Sequence, residues 1–182
     1  MQRRLYAVLS MVLFAFMAAS ATAVAGWDPE EKSKMISKAE AAVADFKKTD
    51  PSMSKFFDKA YGYAIYPDIT KGGFIVGGAS GRGVVYVGGK AIAGSRMSQG
   101  TFGAQIGGQS YRQIIFFESE PAFDRFKNGS LKFSAQATAV AATAGAAKAA
   151  DYEDGVAVFT LIKGGLMAEA SIGGQDFSYE PF

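Results

Sequence analysis

Apolar residues run almost unbroken from Leu5 to Ala19. They recur at helical spacing from Met35 to Phe46, then break into short runs divided by glycine. The first stretch follows the basic Met1-Gln2-Arg3-Arg4 and closes on Ala23-Val24-Ala25 ahead of Gly26. That order predicts a secretory signal peptide over residues 1–25, with a core too short for a comfortable membrane span. The remainder, 26–182, is expected to be one domain, helical over 26–60 and β-rich over 61–182. Cleavage after Ala25 would leave the protein periplasmic or secreted.

The second texture predicts a helix over 28–48. Asp28 is placed to cap it, Pro29 to occupy its first position, and Glu31 to complete a capping box. Glu30 and Glu31 suit the positive end of the helix dipole, and Lys47 and Lys48 the negative end. Met35, Ile36, Ala39, Ala42, Val43 and Phe46 fall within about 120° of arc. Lys34, Lys38, Asp45 and Lys48 lie opposite. This stripe either packs on the domain core or lies in a membrane surface, although surface helices usually carry a more uniformly basic polar face. Thr49-Asp50-Pro51-Ser52 breaks the pattern. A short second helix through Met53, Phe56, Phe57 and Ala60 is expected to end at Gly62.

The third texture is β-like. Residues 62–108 hold 14 of the 22 glycines, interleaved with Phe74-Ile75-Val76 and Val84-Val85-Tyr86-Val87. Such runs read as strands bounded by glycine turns. Thr101 to Ile106 alternates. Tyr111 to Glu118 is apolar on both faces and reads as a central strand. A helix is expected over Ser119–Asn128, stopped by Gly129. Leu131 to Val140 alternates as a strand running into a small-residue loop near Gly145, although its alanines suit a helix equally. Asp151 to Gly155 reads as a turn. Val156–Ile162 and Leu166–Ile172 read as two strands joined at Lys163-Gly164-Gly165, and Asp176–Phe182 as a last strand or tail. The expected fold is α+β: N-terminal helices packed on a strongly curved, glycine-rich, mainly antiparallel β-sheet, a partly closed barrel or sandwich.

Two local echoes stand out. Ile106-Gly107-Gly108-Gln109 resembles Ile172-Gly173-Gly174-Gln175, and Lys71-Gly72-Gly73 resembles Lys163-Gly164-Gly165. They read as glycine turns or bulges of a curved sheet, or as a duplicated strand–turn–strand unit.

Composition narrows the chemistry. The chain has no cysteine and no histidine. That excludes disulfides, thiolate nucleophiles, cysteine or histidine metal sites, and the Ser-His-Asp and Cys-His arrangements. Without the two arginines of the first 25 residues, the 19 basic residues become seventeen and balance the 17 acidic ones. The mature chain is neutral, and a general nucleic-acid partner loses its electrostatic support.

Candidate motifs fail on spacing. Gly81-Arg82-Gly83 would need a third glycine at Tyr86 to begin a dinucleotide loop. Gly88-Gly89-Lys90 would need glycine at Val84 and Ser or Thr at Ala91 to end a phosphate loop. Asp151 to Gly155 lacks the calcium-loop pattern. No catalytic set, metal site or cofactor is expected, so the residues point to a binding or structural protein rather than an enzyme.

Several tracts carry a family resemblance. They are Ala60-Tyr61-Gly62-Tyr63-Ala64-Ile65-Tyr66-Pro67, Lys71-Gly72-Gly73-Phe74-Ile75-Val76-Gly77-Gly78, and Gly81-Arg82-Gly83-Val84. Further on come Gly103-Ala104-Gln105-Ile106-Gly107-Gly108-Gln109, Lys163-Gly164-Gly165-Leu166, and Gly174-Gln175-Asp176-Phe177-Ser178-Tyr179. In this order, Ala60 to Phe182 resembles the SYLF domain family of lipid-binding domains. Ser95-Arg96-Met97-Ser98 departs from the family pattern, lacking its common Trp and Pro. The resemblance implies lipid-membrane binding, through phosphoinositides and with actin-associated roles in eukaryotic members. An export signal turns the expected target to anionic glycerophospholipid or outer-membrane lipid.

The expected function is therefore an exported lipid- or membrane-binding protein that recognises anionic phospholipid through basic residues beside apolar surface. The alternative is a structural or interaction module with an envelope protein as partner and no lipid ligand. Lys71, Arg82, Lys90 and Arg96 are the headgroup candidates, because they punctuate glycine-rich strands that leave room for approach. If the first helix enters the interface instead, Lys34, Met35, Ile36, Lys38, Val43 and Phe46 are the contact candidates.

Overall fold

The computed structural model describes residues 27–73, 76–102, 108–134, 137–164 and 170–182. The expected signal peptide lies outside the described residues. So do Phe74-Ile75, the Gly103–Gly107 part of the alternating and echoed tracts, and residues 165–169 of an expected strand.

Helix α1 spans Pro29–Thr49. The Asp28 carboxylate accepts from the Glu30 and Glu31 backbone N–H groups, both at 3.0 Å. The capping box is half-built, because the Glu31 carboxylate bonds Arg82 on the sheet. Ala39, Ala42 and Phe46 are buried, and Met35, Ile36 and Val43 pack on the same cluster. Of the two readings of this stripe, the structure takes the core-packed one.

A 3₁₀ turn (Pro51–Met53) leads into α2 (Ser54–Lys59). The fully buried Asp50 caps the turn, accepting from Ser52 N at 3.0 Å and Ser52 Oγ at 2.6 Å. It also accepts from Gly145 N at 3.0 Å and Ala147 N at 2.7 Å, which ties this corner to the far end of the chain. Gly62 does not end α2 as expected. The chain is already extended at Ala60, and Gly62 opens the first strand.

The strands are β1 (Gly62–Gly73), β2 (Val76–Val87), β3 (Lys90–Phe102) and β4 (Gln109–Phe117). Then follow α3 (Glu120–Lys127), β5 (Thr138–Ala141), α4 (Ala146–Ala149) and β6 (Val156–Gly164). Last come β7 (Ala170–Ser171), β8 (Gln175–Phe177) and β9 (Glu180–Pro181). Their order is β7-β5-β6-β4-β1-β2-β3-β8, with β9 also on β3. Every described pairing is antiparallel except β5 with β6. The sheet curls into a half-barrel beneath the N-terminal helices, so the expected α+β class holds. Register shifts in β1 at Ile65/Asp68 and Tyr66/Ile69, against β2 and β4, help bend it.

Alternation along the strands divides the core between two faces. Ile65, Val84, Ile114, Phe116 and Phe159 face α1 and α2. Ala64, Tyr66, Val85, Met97, Ile115 and Phe117 face the inside of the curl. There α3 covers them with Phe123 and Phe126.

Two expectations change. Of the strand expected over Leu131–Val140, only β5 forms. Leu131 is buried in the inner core and Phe133 packs edge-on to Phe177, so this segment covers the curl instead of extending the sheet. Part of the following alanine run becomes α4. The strand after β6 is also not its hairpin partner among the described residues, because β7 pairs with β5. β4, read as a central strand, lies between β1 and β6.

Candidate functional site

The N-terminal half of α1 stands over the sheet with open space beneath it. Glu31, Lys34, Met35 and Lys38 recur at three- and four-residue spacing and share one helix face. They roof a cleft of about 400 Å³ completed by Pro67 and Asp68 of β1 and Arg82 and Gly83 of β2. Pro67 and Asp68 sit at the register shift of β1, where the strand turns its side chains anew. Three cations face two carboxylates around this cleft, and Met35 and Pro67 supply apolar wall.

A second cleft of about 480 Å³ adjoins it, lined by Trp27, Asp28, Glu31, Arg82, Tyr179, Glu180 and Pro181. Glu31 and Arg82 line both clefts, so their ion pair is the wall between them. The Arg82 guanidinium also lies 5.5 Å from the Trp27 ring centre. That ring packs on Gly94, where an added methyl group would overlap it, and edge-on against Phe182 at 5.5 Å.

Register fixes the neighbours of Arg82. Asp68 lies opposite it on β1 and Arg96 opposite it on β3. Asp68 is engaged by Lys163 from β6. Arg96 has no ion pair among the described residues, and its backbone bonds the Ser178 hydroxyl and N–H. Further along the helix, Arg112 of β4 meets Asp45 at 2.9 Å.

The structure thus brings Lys34, Met35, Lys38 and Arg82 to one cleft, with Arg96 beside it. It does not bring the other two sheet cations there. Lys71 is level with Ala79 near one end of β2, and Lys90 with Val87 at the other. At about 3.3 Å per residue those levels are ~26 Å apart. Lys90 follows the Gly88-Gly89 turn. Among the helix candidates, Phe46 is fully buried, and Ile36 and Val43 pack on the core beside it, so in this structure these three face the protein.

The inside of the curl is filled beside β8, whereas a cleft of about 440 Å³ opens among Leu131, Phe133, Val156, Val158 and Ile172 at its other side. The Gln113 and Gln175 side chains bond each other reciprocally at 2.8 and 3.0 Å, and Gln99 donates to the Gly173 carbonyl at 2.8 Å. The Tyr66 and Ser95 hydroxyls share a 2.8 Å bond, and Ser95 donates to the Ser178 carbonyl. Burial pushes the Tyr66 phenol up, against the lowering effect of Ser95, so it stays neutral. Tyr63, stacked on Tyr86 near Lys47, is pushed up to about 12 by burial and then by the Glu40 charge.

Sequence reasoning did not find Trp27, Pro67 or Asp68, and it saw Glu31 only as a cap. Asp68 comes opposite Arg82 through strand register, which has no local signature. Trp27 did carry a signal, as the sole tryptophan, next to the N-cap. Among the described residues, no group of three Asp or Glu side chains is arranged to hold a metal ion.

Residues 98–180 match the family model Ysc84, described as Las17-binding protein actin regulator. The chain is also similar to Beta cell expansion factor A of Aeromonas veronii, at 32% identity over 131 residues. That alignment covers 70% of this chain and 49% of the relative, so the chain spans about half the length of the curated relative it matches. The match takes in the last five residues of β3 and everything through β8, including the Lys163-Gly164-Gly165 and Gly174–Tyr179 tracts singled out above. Over residues 98–180 the chain matches the SYLF (Ysc84) family.

Proposed function

We propose that the protein is an exported, non-enzymatic lipid-binding protein that takes anionic phospholipid headgroups at the cleft beneath α1. One observation carries this reading: Lys34, Lys38 and Arg82 converge beside the apolar Met35 and Pro67 in one open cleft. Phosphate oxygens suit the three cations, and the first part of an acyl chain suits the apolar wall. Each basic residue near an anionic surface contributes about 1 kcal/mol, which a neutral chain supplies only through such a local patch. The match to a lipid-binding family supports the same reading. Among the described residues, no helix is long and apolar enough to cross a membrane.

The test is co-sedimentation with phosphatidylcholine vesicles, with and without phosphatidylglycerol. Binding is expected only with the anionic lipid, weakening as salt rises. Failure to bind either vesicle would overturn the reading. Export is checked by sequencing the N-terminus of protein from its native host: Gly26 is expected, and Met1 would refute cleavage.

A second reading has its own support. The matched family is described by a protein partner, Las17, and by actin regulation. For an exported chain the counterpart is a docking module for an envelope protein. Recovery of one stoichiometric protein and no lipid would favour it.

A further inference from the structure

The Arg82 guanidinium is already occupied. Glu31 holds it from the first turn of α1, and both side chains are about half exposed, at 47% and 44%. Carboxylate and phosphate offer arginine the same pair of acceptor oxygens, so the Glu31 carboxylate occupies the place a headgroup phosphate would take. Directly across β2 and β3 stands Arg96, without an ion pair among the described residues. Side chains at directly opposite positions begin ~5 Å apart, and like charges so placed repel. Glu31 relieves only one of the two.

We propose, on the lipid-headgroup reading above, that Glu31 is a built-in competitor for the headgroup phosphate. The phosphate displaces Glu31 from Arg82 and is bound jointly by Arg82 and Arg96. The two charged oxygens of a headgroup phosphodiester stand on a tetrahedral phosphorus, and one can face each arginine. Because the Glu31–Arg82 pair is the wall between the two clefts, the exchange joins them into one groove. It also loosens the end of α1, since Arg82 stacks on Trp27. Asp28 and Glu180 line the far cleft and Asp68 the near one, so the phosphate sits over the Arg82–Arg96 pair between them and the released Glu31 turns to solvent. Binding is thereby set below what the cations alone would give, and selective for groups that engage two arginines.

The sole tryptophan reports the event directly. Inorganic phosphate and phosphatidylglycerol vesicles are titrated in turn against wild type, Glu31→Gln, Glu31→Asp and Arg96→Gln, following Trp27 emission and sedimentation. Glu31→Asp keeps the charge and shortens the reach. Both Glu31 variants are expected to bind up to about fivefold tighter, the worth of one exposed ion pair. Arg96→Gln is expected to bind about fivefold weaker. Thermal melts accompany each variant, and an intact fold in Glu31→Asp keeps the comparison valid if Glu31→Gln unfolds. Binding that does not tighten in either Glu31 variant, or that does not weaken in Arg96→Gln, overturns the proposal. If wild type sediments with vesicles in that case, the lipid reading survives and only the competitor is lost. If wild type ignores vesicles while phosphate binding tightens in the Glu31 variants, the competitor stands and the lipid reading falls. If wild type binds neither, both are wrong.

Discussion

The two ends of α1 are made from one continuous amphipathic pattern and do different work. At the C-terminal end, Ala39, Ala42 and Phe46 sink into the helix-side core, and Asp45 meets Arg112. At the N-terminal end, Lys34, Met35 and Lys38 stand over a cleft, held by Trp27 on Gly94 and Glu31 on Arg82. The first end is fixed by desolvated apolar area, the second by polar contacts half open to water. A helix anchored at one end presents its other end as the wall of a site, with the anchored end supplying the stability that the site gives up.

The contrast is broken most severely at Phe46. Phe46→Ala removes a fully buried ring and is expected to cost about 3–5 kcal/mol, read as a large fall in thermal midpoint. Met35→Ala, at the open end, should cost far less. Equal losses at both positions would erase the distinction.

The next effect concerns Asp50, just past the anchored end. Burial alone would raise its carboxyl, but bonds from Ser52 Oγ and from the N–H groups of Ala147, Gly145 and Ser52 outweigh burial and lower it. A lowered folded-state value gives stability that is complete above the unfolded value, about 3.9, and is lost as pH falls through the folded one. Asp50→Asn leaves buried N–H groups poorly served and should cost about 1–3 kcal/mol at neutral pH. Urea melts between pH 5 and 3 should show wild type surrendering that advantage while the variant changes less.

A smaller effect sharpens the open end. Gly94→Ala puts a methyl group into the Trp27 ring. Because the indole is only partly buried it can swing out. The expected outcome is about 1 kcal/mol or less of lost stability, together with a shift of Trp27 emission toward that of exposed indole. Smallest for stability is Lys38→Gln, expected within about 0.5 kcal/mol of wild type in melts. It should nonetheless weaken anionic vesicle binding by about fivefold.

The parts of the fold legible in the sequence were those set by local periodicity and punctuation. Asp28, Pro29 and the 35–46 stripe foretold α1, Ile114–Phe117 foretold a central strand, and Ser119 to Gly129 foretold α3. The tract around Leu131–Val140 misled because alternation records only which side chains share a face. Leu131 and Phe133 use that face to cover the curl without joining a ladder. Glycine count likewise does not measure how tightly the backbone is packed. A methyl group at Gly83 would meet the Ile65 carbonyl at 2.5 Å, whereas one at Gly72 would meet nothing within 4 Å. For the site, helical spacing grouped Lys34, Met35 and Lys38, and glycine flanks drew attention to Arg82. That Arg82 stands between Asp68 and Arg96, and under Glu31, depends on strand register and helix placement over long sequence separations.

The contact of Trp27 with Phe182 joins the first described residue to the last. Closing so long a loop carries a large entropic cost, which is repaid only once the intervening strands are in place. The wall of the second cleft is therefore assembled late in folding. With its contacts near water, it belongs to the part of the molecule that opens at the lowest free energy, well before the sheet does. Amides around Trp27 and β9 should exchange with solvent much faster than those of β1 and β4. The mouth of the proposed groove then samples open forms in an otherwise intact protein, which would admit a bulky headgroup without global unfolding.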